Sequence, residues 1–204
     1  ILSMRTGSHV LDAFNVDYDS FVDNVVFAAV IDRVGKYQLA MQKVCAYKPF
    51  AQSMPPMLRE EAFHLAAGVV PLRRWVQRAA QGYELVTMNA IQRSLHKWVP
   101  RGLEMFGHEK GGESNIKFGF KTMKNEEAQS LYFDELQKVV TDLNTRYIRA
   151  RLPQLSPDEA EALVVRLLAD RTKFDSVSWE DLLILPDRRF FRRKGVPAWT
   201  MIGS

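Results

Sequence analysis

Apolar positions along this chain recur at spacings of three and four far more often than they alternate, a period that predicts helices rather than strands. No proline interrupts residues 19–46, and Phe21, Val25, Ala28, Asp32, Gly35 and Leu39 fall along one helix face, which places an acid inside an apolar stripe. Lys48-Pro49 predicts a break, and Ser53 ahead of Pro55-Pro56 predicts the start of a second helix carrying Met57, Glu61, His64, Leu65 and Gly68 on one face. Pro71 is expected to end or kink that helix, with a basic amphipathic piece over 72–80 closed by Gly82. A helix over 87–105 interrupted at Pro100, a glycine-rich loop over 107–114, and a helix from Asn125 to about residue 149 follow. The last of these has Tyr132, Leu136, Val139, Leu143 and Tyr147 as its buried stripe, and Ser156-Pro157-Asp158-Glu159 opens a further helix. Residues 182–185 read as a short strand inside an otherwise irregular C-terminal segment containing Pro186 and Pro197. The expectation is one mostly α domain: a lead-in over 1–18, bundle helices over 19–106, a loop over 107–124, and peripheral helices with the C-terminal segment over 125–204.

Composition narrows the class. Of the 204 residues, 47% are hydrophobic and 25% charged, enough apolar material for a core without staples. No apolar run is long enough for a membrane span. Cys45, the one cysteine, rules out an intramolecular disulfide and a multi-cysteine zinc cage, and a lone thiol fits the cytoplasm. A net charge of +4 is too mild to demand nucleic acid. Ile1 is not a natural start residue, which leads to the expectation that upstream sequence belongs to the same gene product.

The chemistry concentrates in Arg59-Glu60-Glu61-Ala62-Phe63-His64. Glu61 and His64 stand three apart and project from the same helix face, so they can share one metal. Alone, such a pair is weak evidence, since it is far more often a surface glutamate beside a half-buried histidine. The preceding helix adds to it: in an antiparallel hairpin turning at about residue 46, Asp32 and Glu61 each lie about 20 Å from the turn, at 1.5 Å per residue. Two carboxylates level with each other repel unless they share a proton or a cation. Two carboxylates and an imidazole suit divalent iron or manganese, and they form half of the donor set of a ferritin-like di-iron bundle.

The runs Ile31-Asp32-Arg33-Val34-Gly35-Lys36-Tyr37-Gln38-Leu39, Pro49-Phe50-Ala51 and Leu58-Arg59-Glu60-Glu61-Ala62-Phe63-His64-Leu65 resemble the oxygenase components of benzoyl-coenzyme A epoxidases, a ferritin-like di-iron family. Similar segments continue at Leu103-Glu104-Met105-Phe106-Gly107, Glu113-Ser114-Asn115, Gly119-Phe120-Lys121, Leu185-Pro186 and Phe191-Arg192-Arg193-Lys194-Gly195. The resemblance implies a ferritin-like helical bundle with Asp32, Glu61 and His64 at metal-ligand positions. It also implies two irons, O2 as co-substrate, electrons from a separate NAD(P)H-dependent reductase, and insertion of one oxygen atom into the aromatic ring of an acyl-coenzyme A thioester. The chain would then be the C-terminal half of such an oxygenase. There is no second Glu-x-x-His in the sequence, so the other ligands are expected from the N-terminal half or a second chain. The rival readings are a non-catalytic half-bundle kept as a scaffold or assembly subunit, and a symmetric dimer in which two Asp-Glu-His sets face each other.

Other candidates weigh less. His96 and His108 read as solvated or capping, His9 as a loop residue, Cys45 as a packed small side chain, and Glu60 as pointing about 100° away from Glu61. Arg188, Arg189, Arg192, Arg193 and Lys194, interleaved with Phe190 and Phe191, form a basic run that suits the phosphates of coenzyme A as well as it suits a solvated turn.

Overall fold

The computed structural model describes residues 11–107 and 112–188, and these form a mostly α-helical bundle, helical as the periodicity predicts and consistent with the ferritin-like fold that the resemblance implies. In chain order the helices are α1 (Phe21–Val30), α2 (Asp32–Gln42), α3 (Lys48–Ala80), α4 (Met88–Glu104), a short α5 (Gly112–Lys117), α6 (Asn125–Arg151) and α7 (Pro157–Asp170). A two-residue antiparallel hairpin, β1 (Lys173–Phe174) with β2 (Val177–Ser178), and a single 3-10 turn at Trp179–Asp181 follow.

The long first helix is present but tightens at one place. Ile31 keeps helical angles and bonds back to the Phe27 carbonyl at 2.7 Å, while Val34 N–H reaches only to Ile31 at 2.9 Å. This tighter turn separates α1 from α2 and sets Asp32 at their junction. The prolines break less than their sequence suggests. Pro49 sits in the first turn of α3, where its missing N–H costs nothing, and Pro55, Pro56 and Pro71 all lie inside this 33-residue helix. The carbonyl that Pro71 leaves without its helical partner belongs to Ala67, an exposed residue that water can serve. Pro100 likewise stays within α4.

One core joins these helices. Val26, Val34, Val76, Ile91, Trp98, Leu103, Tyr132, Leu143 and Leu167 are buried within it. In the α6 stripe, Tyr132, Leu136, Leu143 and Tyr147 are buried as expected, and Val139 packs at the margin. Ser156 caps α7 in a reciprocal box, accepting from Glu159 N–H at 3.3 Å while its own N–H donates to the Glu159 carboxylate at 2.8 Å. The expected strand at 182–185 is not one. Its backbone groups are taken by side-chain amides instead: Asn144 holds Leu183 on both sides at 2.9 and 2.8 Å, and Gln92 holds Ile184 at 2.7 Å in both directions. Part of the expected loop after Gly107 is the helix α5.

A buried charge pair that periodicity alone did not reveal ties α1 to α4. Asp23, 3% exposed, accepts from Lys97 Nζ at 2.8 Å, Ser94 Oγ at 2.5 Å, Trp98 Nε1 at 3.3 Å and the Asp19 N–H at 2.8 Å. Burial pushes its carboxyl up, but the hydrogen bonds and the Lys97 charge more than reverse this and hold it below its usual value of 3.8. A depressed carboxylate stabilises the fold above its unfolded value, and that contribution is lost as pH falls through the lower folded value. Asp23→Ala is expected to cost about 3 kcal/mol, because it leaves Lys97 buried with only the exposed Asp19 and the Asp17 carbonyl as partners. Chemical denaturation of wild type and Asp23→Asn between neutral and acid pH checks this: the variant should lose the part of the acid slope that Asp23 supplies.

Candidate metal centre

Helices α2 and α3 form the antiparallel hairpin that the spacing arithmetic requires, and the two are packed together. The carboxylate of Glu61 lies against α2 at Gly35, one turn beyond Asp32: a Cβ on Gly35 would stand 2.9 Å from Oε1 and 3.3 Å from Oε2. Glycine at this place makes room for the carboxylate, since any larger residue would push it away. Oε2 of Glu61 is buried and has no hydrogen-bond partner.

Electrostatics link the three predicted residues. Burial holds the Asp32 carboxyl above its usual range, partly offset by His64. Glu61 is raised in the same sense, first by burial and then by the Asp32 charge, with His64 acting against both and Glu60 adding to the rise. Asp32 and Glu61 therefore feel each other as like charges in a partly dehydrated setting. His64 sits on the exposed side of α3, and Glu60 is exposed as its angular offset predicts.

By residue type the candidate donors suit one side of a metal site. They are two oxygen-bearing groups and one imidazole, hard to borderline ligands of the kind that bind divalent iron or manganese, with one carboxylate oxygen buried and unpaired. They do not close a site by themselves. Among the described residues, no group of three or more His, Cys, Asp and Glu side chains is gathered closely enough to hold a metal ion.

A clamp behind this centre was not evident from sequence. Glu135 of α6 takes Arg33, Lys36 at 2.7 Å and the Tyr37 hydroxyl, while Arg33 also donates to the Ala29 carbonyl at 3.0 Å. Burial pushes the Glu135 carboxyl up, and these donors and cations pull it below its ordinary value. The clamp fixes the α2 segment that carries Asp32 and Gly35. An alternation of Arg33, Lys36 and Tyr37 on one helix face was the available signal, but its acidic partner lies some hundred residues away.

The minor candidates behave as ordinary structural residues. Half-buried His96 contacts the Gln92 amide at 2.7 Å, and burial pushes its pKa down. Cys45 is buried. His9, His108, Arg189, Arg192, Arg193 and Lys194 lie outside the described residues. Arg188 bonds Ser130 Oγ at 3.0 Å and lies over the Phe133 ring. Among the described residues no helix is long and apolar enough to cross a membrane.

A stretch of 85 residues is 34% identical to the benzoyl-CoA oxygenase component B of Aromatoleum evansii, covering 40% of this chain and 18% of that relative, so the match spans less than a fifth of the relative's length. Residues 5–154, which include the whole α2–α3 hairpin and α6 through its clamp, match the family described as phenylacetic acid catabolic protein. The chain belongs to the phenylacetic acid catabolic protein family.

Proposed function

We propose that this chain is a ligand-bearing part of a di-iron oxygenase that inserts one oxygen atom of O2 into the aromatic ring of an acyl-coenzyme A thioester, by epoxidation. Asp32, Glu61 and His64 would bind on one side of the iron pair. The remaining ligands would come from companion helices, in the N-terminal half of the same protein or in a second chain. The observation that carries the reading is the buried, unpaired Oε2 of Glu61 seated on Gly35 within electrostatic reach of Asp32 and His64. Membership of the family and the likeness to the benzoyl-CoA oxygenase component B of Aromatoleum evansii support it.

When bound, the irons would supply the redox chemistry with O2, using electrons from a separate NAD(P)H-dependent reductase. The chain's own residues do the rest. Asp32 and Glu61 carry the negative charge that offsets the cations, and His64 offers an imidazole from the next turn of α3. Glu135, through Arg33 and Lys36, keeps α2 in register so that the two carboxylates stay level. The helix-packed core keeps water from the inner side of the hairpin.

The open donor set favours one second reading, a scaffold subunit that keeps the bundle and binds no iron. Metal analysis of the chain co-purified with its companion components separates the two. The oxygenase reading expects about two irons per completed site, together with label from 18O2 in the thioester product. An assembled, iron-free complex that shows neither would establish the scaffold.

A further inference from the structure

Two grooves share the seam between α3 and α6. The larger, about 1320 Å³, is lined by Arg74 and Arg78 from α3 and by Lys138, Arg146 and Arg149 from α6, among glutamines and threonines. Three acids also line it, Asp134, Asp142 and Glu161; Asp142 is paired with Arg73 at 2.7 Å and Arg146 at 2.9 Å, and the cations of the lining still outnumber its acids. Arg74, Arg78, Lys138 and Arg149 have no salt bridge among the described residues, and all four are exposed. The smaller groove, about 450 Å³, begins at Arg73 and has an apolar wall of Leu58, Leu65, Ala66 and Val69, with the mutually paired Arg33, Lys36 and Glu135 across from them. One edge of the protein thus passes from cationic to apolar within a single seam. From Leu58 to Arg78 the seam follows α3 for about 30 Å at 1.5 Å per residue. The apolar end is formed by the turns of α3 that flank Glu61.

We propose that this seam is the cradle of the coenzyme A thioester, with the phosphates on the cations of α3 and α6 and the acyl arm along the Leu58 to Val69 slot. The proposal rests on the acyl-coenzyme A reading above and adds where the ligand lies. A compact anion would use only the cationic end, and an uncharged apolar molecule only the other. An extended ligand with an anionic head and an apolar tail uses both. These cations are exposed in a wide, open groove, with Arg78 also lying over the Tyr83 ring, so their attraction should be screened by salt.

Equilibrium binding of benzoyl-coenzyme A and of free coenzyme A to the full chain, without iron, tests this. Arg74→Glu with Arg78→Glu is expected to weaken both ligands by about tenfold or more at low salt and to flatten the salt dependence. Ala66→Phe, which fills the apolar slot, should weaken benzoyl-coenzyme A and leave free coenzyme A unchanged. Circular dichroism should show all variants folded, since the altered side chains are exposed. If wild type binds the thioester and the variants bind it equally well, the seam is not the cradle and the oxygenase reading stands. If wild type assembled with its companions binds no coenzyme A thioester at all, the acyl-coenzyme A reading itself fails.

Discussion

Glu61→Gln combined with His64→Ala is expected to remove iron from the assembled protein while leaving its fold intact. The amide has the shape of the carboxylate and still fits against Gly35, but it is a neutral and poor ligand. His64 is exposed, so trimming it removes little packing. The metal-free fold should not suffer, because the substitution relieves a buried charge that Asp32 already opposes. Partners outside a metal's direct ligands typically cost about 10 to 100-fold in affinity or activity when removed, and loss of two direct ligands should exceed that. Iron content by elemental analysis and thermal unfolding of the same samples give the two readouts. Iron retained at the wild-type level would remove Glu61 and His64 from the ligand set. Asp32→Asn should show the same pattern more weakly.

A second large effect is expected at Gly68, where α3 crosses α1. A Cβ at this position would stand 2.3 Å from the Ala29 nitrogen and 2.8 Å from the Ala28 carbonyl carbon, distances that no rotamer change relieves because the obstacle is backbone. Gly68→Val must therefore separate the helices and open the core around Ala29, Val30 and Leu72, which are each 1% exposed. The cost is expected at about 4 kcal/mol or more, in the range where a single substitution reports a specific steric mechanism. For a chain of this size that corresponds to a fall in Tm of roughly 10 °C. Ala67→Val, one position away on the exposed side of α3, is the control and should stay within about 0.5 kcal/mol of wild type. Equal losses at both positions would show that helix propensity, not the crossing, sets the cost.

The helical class, the α2–α3 hairpin and the identity of the candidate donors were legible from the sequence because each rests on local spacing. Stripes three and four apart define a face whatever the rest of the chain does, and Asp32, Glu61 and His64 are polar residues that interrupt such faces. Proline was the weakest guide. Pro49 reads as a break, Pro55-Pro56 as a helix start, Pro71 as an end or kink and Pro100 as an interruption, yet packing along α3 and α4 outweighs one missing N–H when the freed carbonyl can reach water or the helix lies within a core.

What remained hidden depends on contacts between residues far apart in the chain. Asp23 lies in the first turn of α1, and only the packing of α4 brings Lys97 and Ser94 around it. Glu135 lies on α6, and only the packing of α2 brings Arg33, Lys36 and Tyr37 onto it. The charge of such a residue is visible in the sequence, but burial decides whether it is solvated or paired, and burial is set by how helices cross. Gly68 is the plainest case. As a letter it lowers helix propensity, and only the crossing of α1 over α3 explains why a side chain has no room there. The sequence by itself determined which residues are candidates for chemistry and on which helix faces they lie. The tertiary structure alone decided which charges are buried, which glycines hold helices together, and that the cations of α3 and α6 line one seam, because these follow from distances between helices that no local spacing encodes.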